Sequence, residues 1–377
     1  MAAGLVLIAF NLRLAVTSVA PILHEIMAGT RLAPAGASLL ATLPALCFGL
    51  FAPVAPVLVR RFGPERALLA VTAAMAAGSA LRGIPALPAL FGGTIIASAA
   101  IGVGNALLPV AVKRDFPNRV PMLTGLYTAA LCAGAAVAAG ASVPLAQAFG
   151  SWSAALAVWA VPALLAAALW APQMPARPAR IVAAGRGGLW RDKLAWRVTL
   201  FMGLQSALAY IVFAWLAPML EDRGMDAASA GLAVSVCVIV SAVACIPAPM
   251  LATRGRDQRA ANAGGIVVCV AALLGCLFAP LWAVWGFAAL LGASQGWIIA
   301  VALTVIVLRA PDARSAAVLS GMAQSVGYLL ASAGPLLAGL LRSWTGSWAS
   351  LGVLAVAIGA AAIWAGIGAG RDRLVRG

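Results

Sequence analysis

Arg13 is the residue of this sequence whose position most needs a chemical explanation. It lies between the apolar stretches 1–10 and 14–23, near the middle of a run long enough to cross a bilayer. Insertion scales put the cost of a charged side chain at that depth at roughly 2.5–3.5 kcal/mol. A planar guanidinium can donate hydrogen bonds to two oxygens, or to an oxygen and a nitrogen, at the same time. Arg13 therefore predicts either an internal partner or a bound group with electron-rich atoms.

The acidic residues of the chain offer Arg13 no carboxylate at its own depth. All ten lie in predicted loops or at predicted helix ends. Glu25 is the nearest along the chain, and twelve residues of helix would separate the two side chains by about 18 Å. Two interpretations remain: carbonyls, glutamine oxygens and water satisfy the guanidinium, or it faces a central cavity and its counter-ion is a solute. An unpaired charge inside a membrane favours the second.

The composition is that of a chain built to lie in a membrane. Of its 377 residues, 64% are hydrophobic and only 9% are charged, whereas soluble proteins carry about 25% charged residues. The net charge of +15 does not indicate nucleic-acid binding, because the basic residues lie in short links between apolar runs. Six cysteines without a CxxC pair and a single histidine, His24, argue against a metal site, so we expect no cofactor.

Apolar runs separated by charged or turn-rich breaks predict an all-α polytopic membrane protein with twelve transmembrane helices. The predicted spans are 4–25, 37–59, 66–83, 88–112, 121–146, 153–171, 198–220, 227–251, 260–279, 282–308, 315–340 and 349–370.

Basic residues are distributed unevenly between the two sides of these spans. One set of links, together with the C-terminal tail, carries 20 of the 25 Lys and Arg residues. The other set carries only Arg31, Arg82, Arg223 and Arg342. The positive-inside rule therefore predicts a multi-pass protein of the bacterial inner membrane, with both termini and the 172–197 link in the cytoplasm.

Short sequence matches reveal an internal repeat. "APILHE" (20–25) and "APMLED" (217–222) end the first and seventh spans, while "LTGLY" (123–127) and "LSGMA" (319–323) open the fifth and eleventh. "RRFGPER" (60–66) and "TRGRDQR" (253–259) link the second helix to the third in each copy. The offsets are 197, 196 and 193 residues. They predict two parallel six-helix halves, 1–171 and 198–377, joined by a cytoplasmic link at 172–197, with solute bound between the halves near the midplane.

Polar side chains near mid-depth are the candidates to complete a site around Arg13. Helical spacing places Thr17 on its face and Asn11 on another, and the repeat makes Tyr210 its counterpart. Each polar side chain could instead bond a neighbouring helix, and Tyr127 and Thr128 are weaker candidates. The predicted solute-binding residues are Arg13, Asn11, Thr17, Asn105, Gln205, Tyr210, Gln295, Trp297, Gln324 and Tyr328.

Several stretches resemble one group of transporters. "NLRLAVTSVAPIL" (11–23) followed by "LLATLPAL" (39–46) is similar to the opening of the cyanate permease and 2-nitroimidazole transporter group of the major facilitator superfamily. "GVGNALLPVAVKRDF" (102–116) resembles its fourth helix, and "WLAPMLEDRGM" (215–225) and "MAQSVGYLLASAGPLLAGLLR" (322–342) resemble its second half. The resemblance implies the major facilitator fold, with helices one, four, seven and ten around a central cavity. The sequence departs from the superfamily pattern at one position of the loop between helices two and three. Arg60 stands where the superfamily usually has an acidic residue, so the gating ion pair of that motif is not assigned to this chain.

One cation among neutral amides and hydroxyls suits a small planar anion or a neutral molecule with electron-rich oxygens. Sugars do not need the charge and organic cations would be repelled. Cyanate-like anions and nitroimidazoles, which the resemblance implies, both fit. The expected partners are thus a small anion or nitro compound and the lipid bilayer, with no nucleic acid, and we expect a monomer.

These features predict a secondary active or facilitative transporter that works by alternating access. The chain has neither a P-loop for ATP nor the paired Asp, Glu or His residues at depth that an intramembrane enzyme would need. Two alternatives remain open. One is an exporter of another small organic drug or metabolite anion, and the other is an anion channel, against which the two repeated halves argue.

Overall fold

The computed structural model describes residues 1–174 and 188–375, and within these ranges every regular element is a helix. The helices are α1 (Ala2–Thr17 and Leu23–Thr30), α2 (Pro34–Phe51 and Ala55–Phe62), α3 (Pro64–Leu81), α4 (Leu87–Asp115), α5 (Val120–Phe149), α6 (Trp152–Ala157 and Ala160–Trp170), α7 (Lys193–Asp222), α8 (Ala227–Ala244 and Ala248–Ala252), α9 (Arg259–Phe278), α10 (Val284–Arg309), α11 (Ala313–Thr345) and α12 (Ala349–Ala369), with a short helix at Gly188–Arg191.

Each of the twelve predicted spans coincides with one of these helices, which confirms the all-α prediction. By length and composition, ten helices of the described ranges can cross a membrane; α3 and α8 fall below that criterion. α7 starts at Lys193, five residues before the predicted start at 198. Asp192 caps the helix there, because its carboxylate accepts hydrogen bonds from the amides of Leu194 (2.6 Å) and Ala195 (3.2 Å). Residues 175–187 of the predicted link lie outside the described residues.

A proline interrupts α1 shortly after Arg13. The first segment ends at Thr17, and a 3₁₀ turn at Ala20–Ile22 leads into the second. Pro21 has no amide hydrogen, and its ring excludes the carbonyl four residues earlier, so the α-helical ladder cannot continue through it. Arg13 therefore sits one turn before a break in its own helix.

Four helices form the centre of the bundle. The most apolar windows of α4 and α10 are 83% and 78% buried, and those of α1 and α7 are 56% buried, against 28–44% for the other six candidate spans. The resemblance implied these four as the central helices. On the outer helices, side chains such as Leu164, Leu232 and Val353 are exposed and suit contact with lipid.

The end of the bundle that carries both chain termini, called the terminal end below, is held by ion pairs. At the junction of α3 and α4, Arg114 contacts Glu65 (2.7 Å) and Asp115 (2.6 Å), and the Trp170 indole donates to the Glu65 carbonyl. Glu65 in the first turn of α3 thus supplies the carboxylate of the ion pair that joins α3 to α4. At the opposite end, Arg342 pairs with Asp222 at 2.9 Å and joins α11 to α7.

Arg82 differs from its predicted place in a solvent-facing link, because it is completely buried. Its Nη1 donates to the carbonyl of Ala15 at 2.7 Å, and its Nη2 lies 3.2 Å from the Ser79 hydroxyl. Ala15 is among the last four residues before the break in α1, where carbonyls lose their helical partners and carry partial negative charge. Arg82 therefore turns back into the bundle and caps a helix end.

Candidate functional site

The guanidinium of Arg13 lies where α1 faces helices of both repeats. It lies beside the hydroxyl of Tyr210 on α7, and in electrostatic range of Tyr328 on α11 and of the thiol of Cys132 on α5. Its Cζ is 5.9 Å from the ring centroid of Phe48 on α2. Four other helices therefore present side chains to this one cation.

Arg13 has no carboxylate partner within the described ranges, since every ion pair there joins other residues. Its neighbour Tyr210 lies seventeen residues after the start of the 30-residue α7 at Lys193, so the guanidinium is close to the middle of a helix long enough to cross a hydrocarbon core roughly 30 Å thick. Arg13, Tyr210 and Cys132 each keep part of their surface exposed. The cation is thus accessible to a small molecule and uncompensated by protein charge.

Aromatic rings form one wall of the site. The rings of Tyr210 and Tyr328 are nearly parallel, at 10°, with centroids 6.4 Å apart. Phe48 packs against Tyr328 at 5.5 Å and 57°. Tyr127 on α5 is buried within electrostatic range of Tyr328, so all three tyrosines of the chain converge here. The arrangement combines a charged planar donor with flat aromatic faces and phenol hydroxyls.

Close helix approaches hold these rings in place. A Cβ atom at Gly102 would lie 2.8 Å from the Cα of Phe48, so α2 reaches α4 at this point only because residue 102 is glycine. On the other side, α7 and α11 cross at Gly203 and Gly327. A Cβ atom added to Gly203 would lie 3.0 Å from the Cα atom of Gly327. Small residues at such crossings let backbones meet in membrane bundles. The second crossing is next to Tyr328 and sets the spacing of the stacked pair.

Further contacts between the first six and the last six helices lie nearer the terminal end than Tyr328 and Cys132 do. The Gln324 amide nitrogen donates to the carbonyl of Asn105 at 2.9 Å, and the Ser325 hydroxyl donates to the carbonyl of Gly49 at 2.6 Å. A Cβ at Gly125 would lie 2.6 Å from the carbonyl oxygen of Ile246, so α5 and α8 also touch there. These contacts pack α11 against α4 and α2, and α5 against the chain between the two segments of α8.

Comparison with known proteins decides the family. Residues 5–274 match the family model described as Major Facilitator Superfamily. The chain belongs to this superfamily. Members of the superfamily are transporters, so this multi-pass membrane protein is a transporter and not an enzyme.

Relatives within the superfamily support the group that the sequence resembled. The chain is 39% identical over 380 residues to the 2-nitroimidazole transporter of Escherichia coli K12, covering 99% of this chain and 96% of the relative. It is 28% identical over 238 residues to the E. coli cyanate transport protein CynX, covering 60% of each. The outward conformation of FucP, the E. coli fucose:proton symporter, superposes with a TM-score of 0.79 at 14% identity, covering 98% of both chains. The resemblance and the major facilitator fold are therefore confirmed.

The superfamily fold brings some predicted site residues together and separates others. Arg13 meets Tyr210 and Tyr328, and Asn105 meets Gln324 one layer nearer the terminal end. In that layer the Asn105 Nδ2 and Gln324 Oε1 atoms are buried and form no hydrogen bond. On α10, Gln295 is buried with an unpaired Nε2.

Three other predicted residues direct their side-chain donors to groups of their own helix, and the Asn11 Oδ1 is buried without a hydrogen-bond partner among the described residues. Asn11 donates to the carbonyl of Leu7 (2.9 Å) and Thr17 to that of Arg13 (2.8 Å), while Gln205 bonds Met202 and Ser206. Trp297 points away from the cluster, because its indole donates a hydrogen bond to the carbonyl of Ala261 on α9 at 3.0 Å. The indole packs over Gly265, where an added Cβ atom would lie 2.9 Å from the Cδ1 atom of Trp297. Trp297 is therefore separate from the Arg13 cluster.

Sequence reasoning missed Phe48 and Cys132, because apolar and thiol side chains give no polar signal in a membrane helix. The repeat could have identified Cys132, which precedes Tyr328 by the same 196 residues that relate the openings of α5 and α11. In the structure, the Sγ of Cys132 lies 4.0 Å from the Sγ of Cys245 on α8. The surroundings of Arg13 thus include one thiol, that of Cys132, in addition to the aromatic rings.

Proposed function

We propose that this protein is a secondary transporter, active or facilitative, of a small anionic or nitro-bearing solute across the bacterial inner membrane. It works by alternating access, with both termini in the cytoplasm. The observation that carries the proposal is Arg13, a mid-depth cation beside Tyr210 with no carboxylate partner among the described residues. A solute that accepts hydrogen bonds through two atoms supplies the missing counterpart.

The aromatic wall favours a nitro-substituted heterocycle over cyanate. Both solutes can accept a bidentate donation from Arg13, but only a planar ring also gains stacking on Tyr210 or Tyr328. The relative that is 39% identical over nearly its whole length is named a 2-nitroimidazole transporter. We therefore place nitroimidazole-like compounds first among the solutes and cyanate-like anions second.

The closure at the terminal end supports a transporter over a channel. We infer that the Gln324–Asn105 and Gly125–Ile246 contacts between the halves block the path from the site to the terminal end. A solute would therefore enter from the opposite end and leave only after the halves rearrange. For a solute with one negative charge, an inside-negative membrane potential would favour export by about 2.3 kcal/mol per 100 mV. A neutral nitro compound would not respond to this potential.

Thermal unfolding of the purified protein tests the solute assignment, because a ligand that binds the native state raises the melting temperature. We expect 2-nitroimidazole to raise it, imidazole to leave it unchanged, and cyanate to have a smaller effect. The Arg13→Ala protein should lose the response. A response to organic anions such as benzoate without one to 2-nitroimidazole would favour the alternative of an organic-anion exporter.

Counterflow in proteoliposomes tests the transport mechanism. Preloading with unlabelled solute should accelerate uptake of labelled solute, and the rate should saturate with concentration. Flux that rises linearly and shows no counterflow would replace the transporter by an anion channel.

A further inference from the structure

A basic cavity lies at the terminal end, away from the Arg13 site. It has a volume of about 450 Å³ and lies between the 253–259 link and the tail after α12. Its lining residues are all charged: Arg256, Asp257, Arg259, Arg371, Asp372 and Arg373. Four guanidinium groups thus face two carboxylates.

Both carboxylates of the cavity are already engaged. Asp257 pairs with Arg259 at 3.0 Å, and Asp372 lies 3.6 Å from the buried Arg309. The side chains of Arg256, Arg371 and Arg373 are exposed and form no ion pair with any described residue. The cavity therefore has an excess of three unpaired guanidinium groups.

The walls of the cavity are held rigidly. The amide of Gln258 donates to the carbonyl of Gly370 at 3.0 Å, and a Cβ at Gly370 would lie 2.6 Å from the Arg259 nitrogen. Arg309, only 3% exposed, donates to the carbonyls of Ala369 (3.0 Å) and Gly370 (3.2 Å). Because the tail is tied to the link before any ligand arrives, binding would lose little conformational entropy.

We propose that this cavity binds the phosphate of an anionic phospholipid headgroup in the leaflet at the terminal end. Arginine is the side chain best suited to bidentate recognition of phosphate, and the N-terminus of α9, at Arg259, adds partial positive charge. The cavity lies where α9 begins and where α10 and α12 end, beyond the apolar part of these three helices. Basic pockets in that position recognise anionic lipids. The site is independent of the solute that the protein transports.

Native mass spectrometry of the detergent-purified protein, with short-chain phosphatidylglycerol and phosphatidylcholine as probes, tests the proposal. The parent protein should retain phosphatidylglycerol in preference to phosphatidylcholine. The Arg371→Gln/Arg373→Gln double variant should bind phosphatidylglycerol at least about tenfold more weakly, because two charge-assisted contacts are removed. Its melting temperature without lipid should equal that of the parent, since both side chains are exposed.

The matched control uses the equivalent loop of the first repeat. Arg60→Gln/Arg61→Gln removes the same charge from the same end without touching the cavity, and should bind lipid like the parent. Equal losses in the two double variants would overturn the site, because general attraction to the leaflet would then explain binding. Stabilisation by inorganic phosphate without retention of phosphatidylglycerol would overturn the lipid assignment.

Discussion

Arg13 and Tyr210 occupy equivalent positions in the two repeats, 197 residues apart, and their side chains meet. Residues near an axis that relates two parallel halves face their own counterparts. Cys132 and Tyr328, 196 residues apart, are a second pair of equivalent positions, and both lie in electrostatic range of Arg13. The first repeat thus supplies a cation and a thiol and the second supplies two phenols, so a symmetric scaffold carries an asymmetric site that both halves help to build.

Replacement of Arg13 separates a binding role from a structural one. Because no protein carboxylate compensates its charge, we expect Arg13→Ala to fold and melt like the parent but to lose solute binding. Arg13→Lys keeps the charge and loses the planar fork, so its affinity should fall on the order of tenfold to a hundredfold. Isothermal titration with the solute that the thermal screen identifies provides the measurement. An Arg13→Ala protein that unfolds easily yet binds at parental affinity would contradict the role.

The hydroxyl and the ring of Tyr210 should contribute separately. Tyr210→Phe keeps the stacked ring and removes the acceptor that orients Arg13, so we expect affinity to fall roughly three- to tenfold. Tyr210→Leu also removes the stacking face and should bind more weakly still. Tyr127→Phe is the matched control, since Tyr127 belongs to the cluster without contacting Arg13. Equal affinities of Tyr210→Phe and Tyr210→Leu would show that the ring itself plays no part.

Cross-linking Cys132 to Cys245 should stop transport. Their Sγ atoms lie 4.0 Å apart on α5 and α8. As the disulfide forms, each thiol would lose one electron to copper–phenanthroline and one proton to the solvent. We expect counterflow to fall to background because alternating access moves the halves against each other, and dithiothreitol to restore it. Cys132→Ser, which cannot form the bond, should resist the oxidant. Full counterflow by the cross-linked protein would contradict relative motion of α5 and α8.

Orientation can be checked by cysteine accessibility in intact cells. In a Cys132→Ser background, Glu221→Cys should react with an impermeant maleimide added outside. Ala184→Cys, in the 172–197 link, should react only after permeabilisation, because the basic links remain cytoplasmic. The reverse pattern would invert the predicted topology, and with it the leaflet assigned to the basic cavity.

Transport should proceed without stoichiometric proton movement. The described residues around Arg13 are Tyr210, Tyr328, Cys132 and Phe48, with no carboxylate or histidine to carry a proton at mid-depth. Any coupling would have to use His24 or Glu25 on the second segment of α1. A pH-sensitive dye inside proteoliposomes should report no solute-dependent change. Stoichiometric proton flux that persists in a His24→Ala/Glu25→Gln variant would refute this expectation.

The sequence alone determined the helical spans and the missing counter-ion of Arg13. The preference of an apolar stretch for lipid is a sum over neighbouring residues, so it can be read without knowing the fold. With only ten acidic residues, all in loops or at helix ends, the absence of a carboxylate at mid-depth was also a local property. The repeat identified Tyr210 as the counterpart of Arg13, because equivalent positions follow from chain offsets.

The tertiary structure decided which side chains surround that cation. The rotation of each helix about its axis is set by packing. Phe48 lies at the site because its backbone packs closely against Gly102, and Trp297 lies away from the site because its indole packs over Gly265. The partner of Arg82 lies 67 residues away along the chain, at the carbonyl of Ala15 in the last turn before the break in α1. Residue type cannot reveal such partners, because a polar side chain in a membrane helix bonds whichever backbone the fold brings near, its own included.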